Sequence, residues 1–489
     1  MEAHLMFREK NFKNDKNYCF GYETLRNDLE LDIIITEMAK GDEIIKNVCR
    51  EAMFHPLCNE DEIRYRQDNL RDALKSPDAL RELYETTVEA EKKRQESWSW
   101  LSPSNSVSRN FSDAVNLLTI YTHMLMKLRS TADESSSAFT SEGFGNFFLM
   151  IKKELSDEYF SEVRTQLNEL KNDKGVLISS KLGNSLQGVS YVLRRKNRKG
   201  FWRRWNFCQS FYVSPQDDAG MADLDRRKAR GMNEATDTLA RAADNLKDFF
   251  VMLRRELAFY VGCINLADTL ERLGMPVCIP DLLSQSEKDR SWAGLYDISL
   301  TIAKNRSVVG NSFDSKNKML YIITGANQGG KSTFLRSMGQ AQLMAQCGMF
   351  AGAGQFKAPI RKNIFTHFKK EEDSSMRSGK LDEELCRMDS LADHITEGSL
   401  VLFNESFAST NEREGSEICR QITQALIENG VEVFSVTHLY TFAKSFETNK
   451  ETQYLRAERF ENGQRPFKIT EGEPLETAFG EDLYREIFA

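Results

Sequence analysis

Proline is scarce in this chain, with 9 in 489 residues beside 28 glycines. That scarcity excludes collagen-like, linker-rich and disordered designs. No proline falls between Pro103 and Pro215, or between Pro215 and Pro276, so long helices can run there unbroken. Cysteine is sparse and unpaired. The 9 cysteines include no CxxC spacing, which argues against a zinc or thioredoxin-type site. An odd number of thiols fits a reduced, cytoplasmic setting. No apolar run approaches the roughly 18 residues of a membrane span. The opening stretch, MEAHLMFREKNFKNDK, has no apolar signal core. No repeat of about 20–50 residues is visible, which excludes a solenoid. A net charge of -7 rules out a uniformly basic nucleic-acid coat, though not a local basic patch.

What is present divides into two textures. Residues 1–290 read as mostly helix, a helical core and lever region. Within it the strongest helix covers about 232–273. Leu239, Leu246 and Leu253 recur every seven residues, and Leu257 and Ile264 continue the stripe after a slip. Such a helix would be roughly 60 Å long and act as a lever or coiled-coil arm. The alternative is two shorter helices broken near Gly262. A small β-containing insertion, at 176–215, interrupts the helices. VLISSKLGNSLQGVSYVL (176–193) reads as a hairpin, and FYVSP (211–215) as extended chain. Between them lies RRKNRKGFWRRW (194–205). Its basic residues Arg194, Arg195, Lys196, Arg198, Lys199, Arg203 and Arg204, with Trp202 among them, suit phosphate contact plus base stacking. A solvated hairpin tip is the plainer alternative.

Residues 291–489 read as α/β. Tyr321–Thr324, Ser399–Phe403 and Val431–Thr437 are apolar strands separated by helical stretches, the pattern of a largely parallel sheet. Residues 454–470 read as terminal strands, and Glu481–Phe488 as a short closing helix. The first strand runs into GANQGGKS (325–332), which fits G-x-x-x-x-G-K-[ST] in full. Glycines let the backbone wrap a phosphate, and successive N–H groups at a helix N-terminus point at it. Gly325, Gly329 and Gly330 would form that cradle, Lys331 would reach the terminal phosphates, and Ser332 would face Mg2+. The strand LVLF then delivers Asn404-Glu405. Glu405 can deprotonate an attacking water, whereas Asn404 offers Mg2+ an amide oxygen without charge. His438 follows the strand VEVFSVT and could sense a γ-phosphate. Read blandly, Glu405 is a surface acid and His438 a structural histidine.

TGANQGGKSTFLRSMGQ, SLVLFNESFASTNEREG and VTHLY resemble the nucleotide loop, magnesium strand and switch-histidine strand of the MutS family of DNA mismatch-repair ATPases. HPLCNEDEIRYRQDNLRDAL (55–74) and ELAFYVGCINLADTLERLGMPVCIP (256–280) resemble that family's core start and returning lever. The resemblance implies a mostly α-helical core and lever region followed by an α/β P-loop (ABC-type) ATPase domain. It implies ATP and Mg2+ as ligands, double-stranded or branched DNA as partner, and a homodimer with composite sites. Asn327 and Thr333 would join the phosphate cradle, Asn311 would lie near the base or sugar, and Ser378 would reach the partner's γ-phosphate. Thr410 falls in the family's Thr-Ser-Thr loop, and Glu414-Gly415 match its Asp-Gly. Ala326 replaces a proline, Asn404 an aspartate, and Ser-Phe-Ala-Ser a glycine-rich loop; these departures point to slow hydrolysis. Phe7-Arg8-Glu9 spells the family's mismatch motif, but core sequence begins too soon after it, so it reads as coincidence. The expectation is a short, core-plus-ATPase form without the mismatch-reading and connector domains.

Overall fold

The structure is a computed structural model that describes residues 1–13, 17–99, 107–171, 175–184, 187–194, 211–214, 216–370 and 379–476. It divides into two compact units that interleave along the chain. One takes residues 1–3, 78–140 and 144–257, and the other 4–77, 141–143 and 258 onward. The protein is therefore a multidomain mixture of helices and several sheets. Among the described residues, no helix is long and apolar enough to cross a membrane.

In the first unit the helices Val107–Ser135 and Asp157–Leu170 pack with the long helix Asp218–Arg272. Phe111, Val115, Leu118, Leu167, Met232 and Ala243 form their buried core, with Leu239 and Leu246 of the heptad stripe packed against it. The long helix has 55 residues, about 80 Å at 1.5 Å per residue. It starts earlier than the leucine stripe implies, because Asp218–Gly231 carries charge and no heptad yet keeps helix-forming residues. The hairpin is present. Leu177–Leu182 pairs antiparallel with Gly188–Arg194, and the register slips between Ser179 and Lys181. Ile178 lies against the long helix at Gly231, where a Cβ would come within 2.7 Å of it. Residues 211–214 form no strand, and Phe211 and Tyr212 are exposed. Pro215, residues 195–210 and the expected closing helix at 481–488 lie outside the described residues.

Gly262 does not break the long helix. Within the second unit, a Cβ there would stand 2.5 Å from Cys49 Sγ and 3.1 Å from Ile45 Cγ2, both on the helix Glu43–Met53. The glycine permits a close helix crossing, and its helix-weakening effect, about 1 kcal/mol, is outweighed by that packing.

The second unit holds two sheets. The larger has the strand order Ile469–Glu471, Thr452–Ala457, Leu320–Gly325, Glu432–Val436, Leu400–Asn404, Ile364–Phe368. All its pairs are parallel except the first, an antiparallel edge. Continuous apolar runs explain this, since parallel strands are covered on both faces. The pairings Phe368↔Asn404, Asn404↔Val436 and Gly325↔Ala457 bring the carboxyl ends of these strands to one edge. The smaller sheet orders Asp281–Leu283, Gln355–Pro359, Arg290–Leu295 and Asn311–Ser315. A fully buried ionic bridge links the two sheets. Arg290 pairs bidentately with Glu432 at 2.5 Å, and Arg361 meets the same carboxylate at 2.7 Å.

Candidate functional site

At the carboxyl edge of the larger sheet, Gly325 ends its strand at φ 111° and Gly330 caps the helix Lys331–Gln346 at φ 91°. A side chain at 325 would strain the backbone and approach Ala457 N and O at 2.9 Å. One at 329 would meet Ala326 O at 2.8 Å. The loop between strand and helix thus requires glycine at 325 and 329, and it lies at the positive end of a helix dipole. It fits a phosphate chain. Asn327 is exposed at its rim, and Thr333 is half-buried in the first helical turn.

Lys331 is buried, and its Nζ donates to Gly325 O at 2.9 Å and Ala326 O at 3.0 Å. Burial lowers its pKa, the Glu405 carboxylate opposes that shift, and Arg465 adds to it. Ser332 donates its hydroxyl to Asn404 Oδ1 at 2.8 Å, so the two residues expected at Mg2+ meet each other. Glu405 follows in left-handed backbone, at φ 53°, with its N–H donating to Val436 O at 2.8 Å. Its Oε1 lies 3.7 Å from His438 Nδ1, long for a hydrogen bond. His438 is nonetheless the chief influence that holds the Glu405 carboxyl below the usual carboxylate range, against burial and with help from Lys331 and Lys369. Glu405 is therefore ionised at neutral pH.

A buried clamp that the sequence does not announce fixes the next residues. Ser406 Oγ donates to His367 O at 2.6 Å and lies 2.8 Å from His367 Nδ1. Phe407, also left-handed at φ 58°, stacks on the His367 ring with centroids 5.1 Å apart. Ser409 donates to Glu384 Oε1 at 2.9 Å. Beyond it, Thr410 donates to Glu414 at 2.7 Å and Asn411 caps the helix Glu412–Glu428. Gly415 lets that helix approach Phe407 O, which a Cβ would meet at 2.6 Å.

Other expected residues lie apart or beyond description. Asn311 is buried, and its Oδ1 accepts from Ile469 N at 2.7 Å; that acceptor is occupied by the edge strand. Gly379 caps the helix Lys380–Ala392, while Ser378 lies outside the described residues. Arg194 donates to Ser179 Oγ across the hairpin at 2.9 Å. Arg195, Lys196, Arg198, Lys199, Trp202, Arg203 and Arg204 lie outside the described residues. Phe7 is half-buried against the Arg66 guanidinium, 4.8 Å from its ring centre.

Comparison with known proteins agrees with this architecture. The family model of the MutS2 N-terminal domain matches residues 59–273, and that of MutS domain V matches residues 321–471. The chain belongs to the MutS family. It is 23% identical to the human MutS protein homolog 4 over 265 residues, which is 49% of this chain and 28% of that protein. To the Endonuclease MutS2 of Thermus thermophilus it is 32% identical over 155 residues, 31% of this chain and 21% of that protein. To the DNA mismatch repair protein MutS of Lactobacillus acidophilus it is 26% identical over 257 residues, 49% of this chain and 30% of that protein. The chain thus spans less than a third of the length of these relatives.

Proposed function

We propose that the protein is a DNA-associated ATPase of MutS type, in which a P-loop ATPase domain (291–489) gates a helical core and lever (1–290) around DNA. One observation carries the reading. Lys331, the Ser332–Asn404 pair and the Glu405–His438 pair converge on a glycine cradle at the carboxyl ends of parallel strands, the usual ligand edge of such a sheet. In this reading Lys331 exchanges the carbonyls of Gly325 and Ala326 for nucleotide phosphates. Glu405, ionised, takes a proton from a water as that water's oxygen bonds to the terminal phosphorus and the bond from that phosphorus to the bridging oxygen breaks; ADP and inorganic phosphate are the products, and Glu405 returns its proton to the phosphate or to solvent. His438 sits beside Glu405, where it can respond to the terminal phosphate. Ser378 completes the site of a second copy, so ATP favours a homodimer. Basic residues 194–204 hold double-stranded or branched DNA through its phosphates, in mismatch repair or related DNA maintenance. The Mg2+ expected at Ser332 and Asn404 meets a donor pair without charge and carries no step here.

The test is steady-state ATP turnover with and without homoduplex, mismatched and branched DNA. DNA-stimulated turnover that Glu405→Ala removes while ATP still binds is the expected result. Turnover indifferent to DNA would overturn the clamp. A second reading, a nucleotide-gated scaffold with little or no hydrolysis, is favoured by Asn404; tight ATP binding without turnover would select it.

A further inference from the structure

We infer that this cradle holds a nucleoside triphosphate mainly through protein cations, with little help from a divalent metal. The inference rests on the nucleotide reading above and concerns how the charge of the phosphates is met. Mg2+ is ordinarily held by one or two carboxylates together with substrate phosphates and waters. Here the donors are a neutral amide oxygen and a hydroxyl, and they satisfy each other at 2.8 Å. The residues present do not fit the ion.

Cations stand in its place. Lys331 is one. Arg465, on the loop between the strands Thr452–Ala457 and Ile469–Glu471, donates Nη1 to Gln328 Oε1 of the cradle loop at 3.4 Å. Its Nε is buried without a hydrogen-bond partner among the described residues, and its charge is felt at Lys331. Lys369 directly follows the strand Ile364–Phe368. Its N–H donates to Asn404 O at 2.9 Å, and its charge is felt at Glu405. The side chain is exposed and forms no ion pair with a described residue. The adjacent Lys370 differs, with Glu383 4.0 Å away. A carboxylate at 404 would repel the phosphates unless a metal bridged them; the amide does not, and two extra cations attract them.

Titration with a fluorescent ATP analogue, in Mg2+ and in EDTA, tests this. Wild-type affinity should agree within about threefold between the two conditions, and Lys369→Ala with Arg465→Ala should weaken binding in EDTA by about tenfold or more. Asn404→Asp should weaken binding in EDTA and restore a preference for Mg2+. Lys369→Ala alone, an exposed change, gives the same direction should the Arg465 variant fold poorly. A wild-type affinity that collapses in EDTA, or variants that bind there like wild type, overturns the inference while the nucleotide reading stands. Absence of binding in Mg2+ as well would defeat the nucleotide reading and this inference with it.

Discussion

Gly329→Ala is a one-methyl change whose cost follows from the loop geometry. The added Cβ would lie 2.8 Å from Ala326 O and 2.9 Å from Ala457 Cβ. One obstacle is a backbone carbonyl of the same cradle and the other a short side chain on the neighbouring strand, so neither can swing away. Overpacking of this kind costs about 1–3 kcal/mol. The loop is the softest of the elements involved, so we expect it to yield, carrying Ala326 O away from Lys331. If all of that cost falls on the binding-competent loop, affinity for an ATP analogue drops by about 5- to 150-fold, at tenfold per 1.4 kcal/mol. Gly145→Ala is the control. Gly145 lies within the helix Glu142–Glu154, and a Cβ there meets nothing within 4 Å. It should gain about 0.5–1 kcal/mol of stability and leave binding unchanged. Nucleotide titration with a parallel thermal melt reads both. Equal affinity and equal melting temperature for Gly329→Ala and wild type would refute the packed-cradle argument.

Three further outcomes are expected. Burial, with Arg387 nearby, depresses the His367 pKa to about 4, so between about 6.5 and 4 the unfolded chain binds a proton that the folded one refuses. Stability should therefore fall as pH drops through that window, by up to about 3 kcal/mol from this group; His367→Gln should flatten the slope, and an identical pH profile would count against the buried neutral ring. Glu432→Gln leaves Arg290 and Arg361 buried without a counter-charge and should cost about 3–5 kcal/mol in denaturant unfolding; a loss under 1 kcal/mol would mean water reaches the bridge. Gly262→Val should destabilise by about 1–3 kcal/mol through contact with Cys49, and Cys49→Ala should recover part of that loss, which a double-mutant cycle measures; purely additive effects would show that the crossing helices simply move apart.

The strands that carry the candidate site were legible because each is a short, largely apolar run. Tyr321–Thr324, Ser399–Phe403 and Val431–Thr437 predict the observed strands to within a residue or two. Once those three strands are parallel neighbours, Lys331, Asn404, Glu405 and His438 must share an edge, so local pattern and topology together suffice there. The smaller sheet was not legible. Asp281–Leu283 is three residues long and Gln355–Pro359 ends in proline, and neither shows a period. Nothing in the sequence marks Arg290, Arg361 and Glu432 as partners, because only the tertiary fold pairs two sheets across them. Gly262 is instructive in the other direction. A glycine in a helical run is equally consistent with a break and with a close crossing, and the residue that decides, Cys49, is over two hundred positions away. The same holds at the site itself. Phe407 takes a left-handed backbone that ordinarily calls for glycine, and it does so because the His367 ring and the Ser406 hydroxyl hold it there. Lys369 and Arg465 come from segments 96 positions apart, and nothing local marks either as different from other surface cations. What brings them to the cradle is the pairing of Phe368 with Asn404 and of Ala457 with Gly325. Charge complementarity at this site thus depends on strand register: a one-residue slip between Ile364–Phe368 and Leu400–Asn404 would turn Lys369 away without changing a single motif residue.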